Sequence, residues 1–140
     1  MKKYYVVIDT NVLVSAMLNW NSVPGNIMKL VFDGPIIPVF NADILKEYHE
    51  VLLRPKFHLT CEIVESLLSG IETRGNYVEA ETLDIKLPDP EDRMFYEVVM
   101  EERKTEDARL VTGNIKHFPS CPFIVIPRQM LDIILDEESM

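Results

Sequence analysis

The chain has 140 residues, 47% of them apolar and 26% charged, with a formal net charge of −9. That composition suits a globular fold able to bury a core without metal or disulfide staples, and no repeat or low-complexity stretch divides residues 1–140, which read as one domain. The acidic balance speaks against broad nonspecific attraction to nucleic acid, which needs lysine and arginine to meet phosphates, but not against a local carboxylate cluster whose cations present positive charge. Cys61 and Cys121 form no CxxC and indicate neither a zinc site nor a disulfide framework, which fits a reduced cytoplasm. The first apolar run is broken by Asp9 before it reaches signal-peptide length, and no stretch approaches a membrane span.

YYVVI at residues 4–8 is a short strand, followed by a helix from about Val12 to Asn19. NWNSVPG is a polar loop carrying Trp20, either a loop anchor or a partner contact, and GNIMKLVFDG is a second helix closed by Gly34. PIIPVF is the second strand, and Asn41 caps a third helix, ADILKEYHEVLL, that must stop near Pro55. Thr60 starts a fourth helix with Ile63, Leu67, Leu68 and Ile71 at helical spacing, and NYVEAE is a weak strand near a sheet edge. Asp89 then reads as the N-cap, and Pro90 as the first residue, of a helix through EDRMFYEVVMEERK. ARLVT and PFIVI are strands, and PRQMLDIILDEE closes the chain as a helix. Strands alternating with helices predict an α/β fold of three layers, with a central, mainly parallel sheet of four to five strands.

In such sheets ligands bind beyond the carboxyl ends of the strands. Asp9 lies just past the first strand, and Thr112, Gly113 and Asn114 just past ARLVT. Asp9 alone has an ordinary reading as a turn or cap former. On the third helix, at about 100° per residue, Ile44, Leu45, Tyr48, Val51 and Leu52 share one face. Glu47 falls on its flank, while Lys46, His49 and Glu50 point further away; a flanking glutamate is ordinarily a solvated rim residue. In the later helix Met94, Phe95, Val98 and Val99 form the core face, with Asp92 at its margin and Asp89 and Glu91 in the same first turn, where acids also complement the helix dipole. His49, His58 and His117 show no ligand spacing, and the basic residues Lys2, Lys3, Arg54, Lys56, Arg103, Lys104 and Lys116 are scattered.

Taken together, IDTNVLVSA, ILKEYHEVL, DPEDRMF and LVTGN followed by KHF resemble the PIN domain family, the nuclease domain of VapC-type toxins of toxin–antitoxin pairs and of RNA-processing enzymes. The resemblance runs over nearly the whole chain and implies a PIN-like fold. Carried over residue by residue, it matches the family's acidic quartet to Asp9, Glu47, Asp92 and, in the fourth place, Asn114. That last position is usually an aspartate; an amide oxygen can ligate a hard cation but brings no charge, which leaves one metal or two open. Thr112 matches the hydroxyl residue before the fourth acid and Asn11 the polar residue that orients the first, with Asp89 as a neighbouring acid or a cap.

The resemblance further implies a metal-dependent endoribonuclease acting on RNA, with Asp9, Glu47, Asp92 and Asn114 as catalytic and metal-binding residues. Carboxylates brought together resist ionisation unless cations sit between them, and Mg2+ or Mn2+ is the natural occupant. Lys116, directly after the VTGN edge, is the one basic residue assigned to substrate. The implied partners are an antitoxin protein and a second copy in a homodimer, with no membrane. Two rivals stand beside this reading. A haloacid-dehalogenase-type phosphotransferase also places an aspartate after its first strand, but its DxDxT pattern fails at Asn11. An inactive PIN domain acting as a protein- or RNA-binding module is kept open by Asn114.

Overall fold

The computed structural model describes residues 2–138. Among them the chain alternates β1 (Tyr4–Ile8), α1 (Thr10–Leu18), α2 (Val23–Asp33), β2 (Ile36–Phe40), α3 (Ala42–Leu52), α4 (Cys61–Arg74), β3 (Asn76–Tyr77), α5 (Arg93–Glu102), β4 (Arg109–Val111), β5 (Ile124–Val125) and α6 (Pro127–Glu138). Short 3₁₀ turns span Pro55–Phe57, Pro90–Asp92 and Ile115–His117. The strands form one sheet in the order β3-β2-β1-β4-β5, every pair parallel. Right-handed crossovers place the helices between β1, β2 and β3 on one face and α5, on the return crossing, on the other. The contacts agree: α2 touches α1, α4 and α6, while α5 lies on β1, β2 and β4. This is a three-layer α/β/α fold. No helix among the described residues is long and apolar enough to cross a membrane.

The central strands are buried on both faces, as their unbroken apolar runs require. Val6, Val7, Leu110 and Val111 are inaccessible to solvent and pack with Leu13, Met28, Ile44 and Phe95 from the helices.

Several boundaries differ from the sequence expectation. Helix α1 starts at Thr10 rather than Val12, so the apolar run after β1 turns into helix with no intervening loop. Helix α2 takes in Val23, Pro24 and Gly25, because Ser22 caps it by accepting from the Gly25 N–H at 3.1 Å and Pro24 loses no hydrogen bond in the first turn. Gly25 is needed there, since a Cβ would lie 2.0 Å from the Trp20 carbonyl oxygen. Trp20 rests on Phe32 with ring centroids 6.2 Å apart, which is the loop-anchor arrangement. Ile63 is exposed; Val64 takes its place with Leu67, Leu68 and Ile71 on the buried side of α4. Asp89 caps a 3₁₀ turn instead of the helix, and α5 begins only at Arg93. NYVEAE pairs only at Asn76 and Tyr77, at the sheet edge, and PFIVI only at Ile124 and Val125.

Candidate active site

Strand order reverses direction at β1, between β2 and β4, and ligands of open α/β sheets bind at such a switch point. Asp9 follows β1 there. It occupies the N-cap position of α1 with extended backbone, but its side chain does not cap the helix. The carboxylate is buried, and Thr112 at the end of β4 donates its hydroxyl to Asp9 Oδ2 at 2.7 Å. The turn-former reading therefore does not account for this residue: its side chain is held across the sheet by the neighbouring strand. Thr112 is itself fully buried and accepts from the Asn114 N–H at 2.9 Å, so the turn after β4 and the acid after β1 are locked together.

Helix α3 brings Glu47. Asn41 caps it by accepting from the Ile44 N–H at 2.9 Å, and buried Tyr48 donates to the Ile8 carbonyl at 2.5 Å, tying α3 to the end of β1. Ile44, Tyr48 and Leu52 are buried, Lys46 and Glu50 are exposed, and Glu47 lies between, as the wheel predicts. Thr10 donates its hydroxyl to Glu47 Oε2. Asp92 arrives on the 3₁₀ turn ahead of α5, with Asp89 accepting from the Glu91 N–H at 3.0 Å to close that turn. Asp92 Oδ2 lies 3.1 Å from His117 Nδ1.

These residues share one polar cleft of about 210 Å³, lined by Asp9, Glu47, Asp92 and Asn114 with Asn11 and Asp89 beside them. Burial pushes the Asp9 carboxyl above the ordinary range, and the charge of Asp92 adds to the effect; the Thr112 hydroxyl and the Asn11 and Thr10 backbone act against it. Glu47 is raised by burial and then by Asp9, Glu91 and Asp89, against the Thr10 hydroxyl. Asp92 is raised by burial, with Asp89 and Glu47 adding and His117 opposing. Three partly desolvated acids that raise one another's pKa form a donor set a divalent cation would relieve.

Lys116 is exposed on its turn and does not line the cleft. The basic side chains that do are Arg54 and His117. Neither stood out in the sequence: Arg54 is one of several scattered basic residues, seven positions or two helical turns after Glu47, and His117, three positions after Asn114, has no ligand spacing. Among the described residues, Asp89, Asp92 and His117 also form a trio whose ligand atoms all lie within 4.8 Å of one another.

A family profile described as PIN domain matches residues 5–116. The chain belongs to the PIN domain family. The matched segment contains all four positions of the acidic quartet and ends one residue before His117. An uncharacterized protein of Methanocaldococcus jannaschii is 32% identical over 115 residues, covering 80% of this chain and 72% of that protein. No solved structure matches. The PIN fold is of nuclease type and its members generally use divalent metal, in keeping with the acidic cleft at this domain's switch point.

Proposed function

We propose that this PIN domain is an Mg2+- or Mn2+-dependent endoribonuclease that hydrolyses RNA phosphodiester bonds, and that it serves as the toxin of a toxin–antitoxin pair. Residues 1–140 act as one catalytic unit in this reading, in the cytoplasm and as a homodimer, with an antitoxin protein as the controlling partner. The observation that carries the nuclease reading is the convergence of Asp9, Glu47 and Asp92, from three separate segments, in one cleft at the switch point. The toxin, antitoxin and dimer elements rest on family resemblance.

Asp9, Glu47, Asp92 and Asn114 would hold the metal. When bound, a divalent cation there supplies an activated water and neutralises phosphodiester oxygens. Thr112 holds one oxygen of Asp9, and Thr10 holds one oxygen of Glu47, so both carboxylates are oriented before substrate arrives. Arg54 and His117 offer hydrogen-bond donors to a phosphate at the lip of the same cleft.

The test is cleavage of end-labelled RNA with and without manganese. Asp9→Asn keeps a side chain able to accept from Thr112 and is expected to stay folded, bind manganese weakly and cut at background level. Glu47→Gln is expected to match it, while Glu50→Gln, on the exposed side of α3, stays within about twofold of wild type. Full cleavage by folded Asp9→Asn overturns the assignment. Asn114, which contributes no charge, favours the second reading, a binding module without catalysis; a folded wild type that neither takes up manganese in calorimetry nor cuts RNA would establish that reading instead.

A further inference from the structure

We infer that His117 is a metal ligand of this cleft, joining Asp89 and Asp92 in a nitrogen-containing pocket that takes Mn2+ in preference to Mg2+. The inference rests on the proposed reading of the cleft as a divalent-metal site.

The distances support it. His117 Nδ1 and Asp92 Oδ2 are 3.1 Å apart, and with Asp89 the two residues form a trio in which one ligand atom from each lies within 4.8 Å of the others. Two adjacent ligand atoms on a six-coordinate ion with bonds of about 2.1 Å lie about 3 Å apart, so one cation fits between this pair with little movement. A hydrogen bond between the two groups has the same length, and Asp89 also closes its own turn on the Glu91 N–H; a cation is the occupant that would use all three groups at once.

The route of the chain supports it as well. Asn114 precedes the 3₁₀ turn Ile115–His117, and His117 closes it, so the turn returns the imidazole to the cleft that Asn114 lines. Where the amide offers only a neutral oxygen, the imidazole offers a stronger donor to a first-row transition ion. Both ions suit oxygen ligands, but Mg2+ demands a near-ideal oxygen octahedron and sheds water reluctantly, whereas Mn2+ belongs to the first-row series bound by mixed nitrogen and oxygen sites, so a nitrogen ligand handicaps Mg2+ more than Mn2+. Asp92 lines the cleft together with Asp9 and Glu47 and meets His117 at 3.1 Å. The His117 pocket therefore adjoins the Asp9 and Glu47 side of the cleft.

The experiment is pulsed electron paramagnetic resonance on the full chain loaded with one equivalent of Mn2+, beside calorimetric titrations of Mn2+ and Mg2+, for wild type and His117→Gln. Gln retains an N–H donor for Asp92 but no imidazole. Expected are a directly bound ¹⁴N coupling in wild type that the variant lacks, a loss of Mn2+ affinity of about tenfold or more, and a smaller loss for Mg2+. Bound Mn2+ without ¹⁴N coupling in wild type overturns the inference while leaving the ribonuclease reading intact. Equal losses for both ions in the variant also overturn it, and make His117 a positioning residue for Asp92. Nitrogen-coupled Mn2+ in a protein that cuts no RNA sustains the inference and removes the ribonuclease reading, and failure to bind Mn2+ at all removes both.

Discussion

Asp9, Glu47 and Asp92 have carboxyls held above their ordinary range by burial and by one another. A carboxyl whose folded pKa exceeds its unfolded value takes up protons on folding. Its contribution to stability is full below the unfolded pKa, about 4, and is lost as pH rises through the folded value. The metal-free cleft therefore works against the fold at neutral pH. Asp92→Asn should raise the melting temperature of metal-free protein at pH 7, and the gain should shrink towards pH 4. Saturating manganese should reverse the order at pH 7, because it stabilises whichever protein binds it. Scanning calorimetry at the two pH values, with and without manganese, decides this; a metal-free variant no more stable than wild type at pH 7 refutes it. These three acids were legible in the sequence because each belongs to a recognisable feature: a strand end, the flank of a helical wheel, and the margin of a helix face read as capped by Asp89, although the cap turned out to close a 3₁₀ turn. His117 was not, because a three-residue 3₁₀ turn shows no periodicity and only the fold brings it to Asp92.

At the scale of elements, the caps were the most readable feature. Asn41, Thr60 and Gly34 stand where the sequence placed them, each with its own local chemistry; Gly34 has φ 107°, a conformation that costs a residue with Cβ. The edge strands were the least readable, because their length depends on a neighbour. Tyr77 pairs with Phe40, and Val78 donates to the Phe40 carbonyl at 2.9 Å, but β2 then ends in the cap of α3 and leaves nothing for Glu79 onward to pair with. The link between α3 and β1 has a measurable consequence. Tyr48 is fully buried with its phenol pushed up by burial, and its hydroxyl meets the carbonyl of the residue before Asp9. Tyr48→Phe should cost about 1 kcal/mol, roughly 3 °C in melting temperature, and should weaken manganese binding by loosening Asp9 against Glu47. An unchanged melting curve and unchanged manganese titration would show that the bond steadies neither element.

At the scale of the whole molecule, the alternation of strands and helices made the parallel sheet and its helical layers legible, but strand order was not in the pattern. That order puts β1 beside β4 and so joins Asp9 to Thr112, 103 residues apart in sequence. The net charge of −9 belongs to this scale too, and for the proposed ribonuclease it sets how RNA can approach. A polyanion meeting an acidic protein gains little from counterion release, because that gain scales with the number of lysines and arginines set against phosphates. Beside the cleft the available cations are Arg54, which lines it, and Lys116, on the turn that follows Asn114. Two such contacts on a single strand correspond to a slope of log affinity against log salt of about −1.4. Without divalent metal the cleft's carboxylates oppose binding, so RNA association should be undetectable by fluorescence anisotropy even at low salt. At fixed saturating manganese, kcat/KM against potassium chloride should fall with a slope of about −1.4 or shallower. A slope steeper than about −4, or tight RNA binding in chelator, would mean that RNA follows an extended basic track elsewhere on the surface, and that the cleft's metal is not what draws the substrate in.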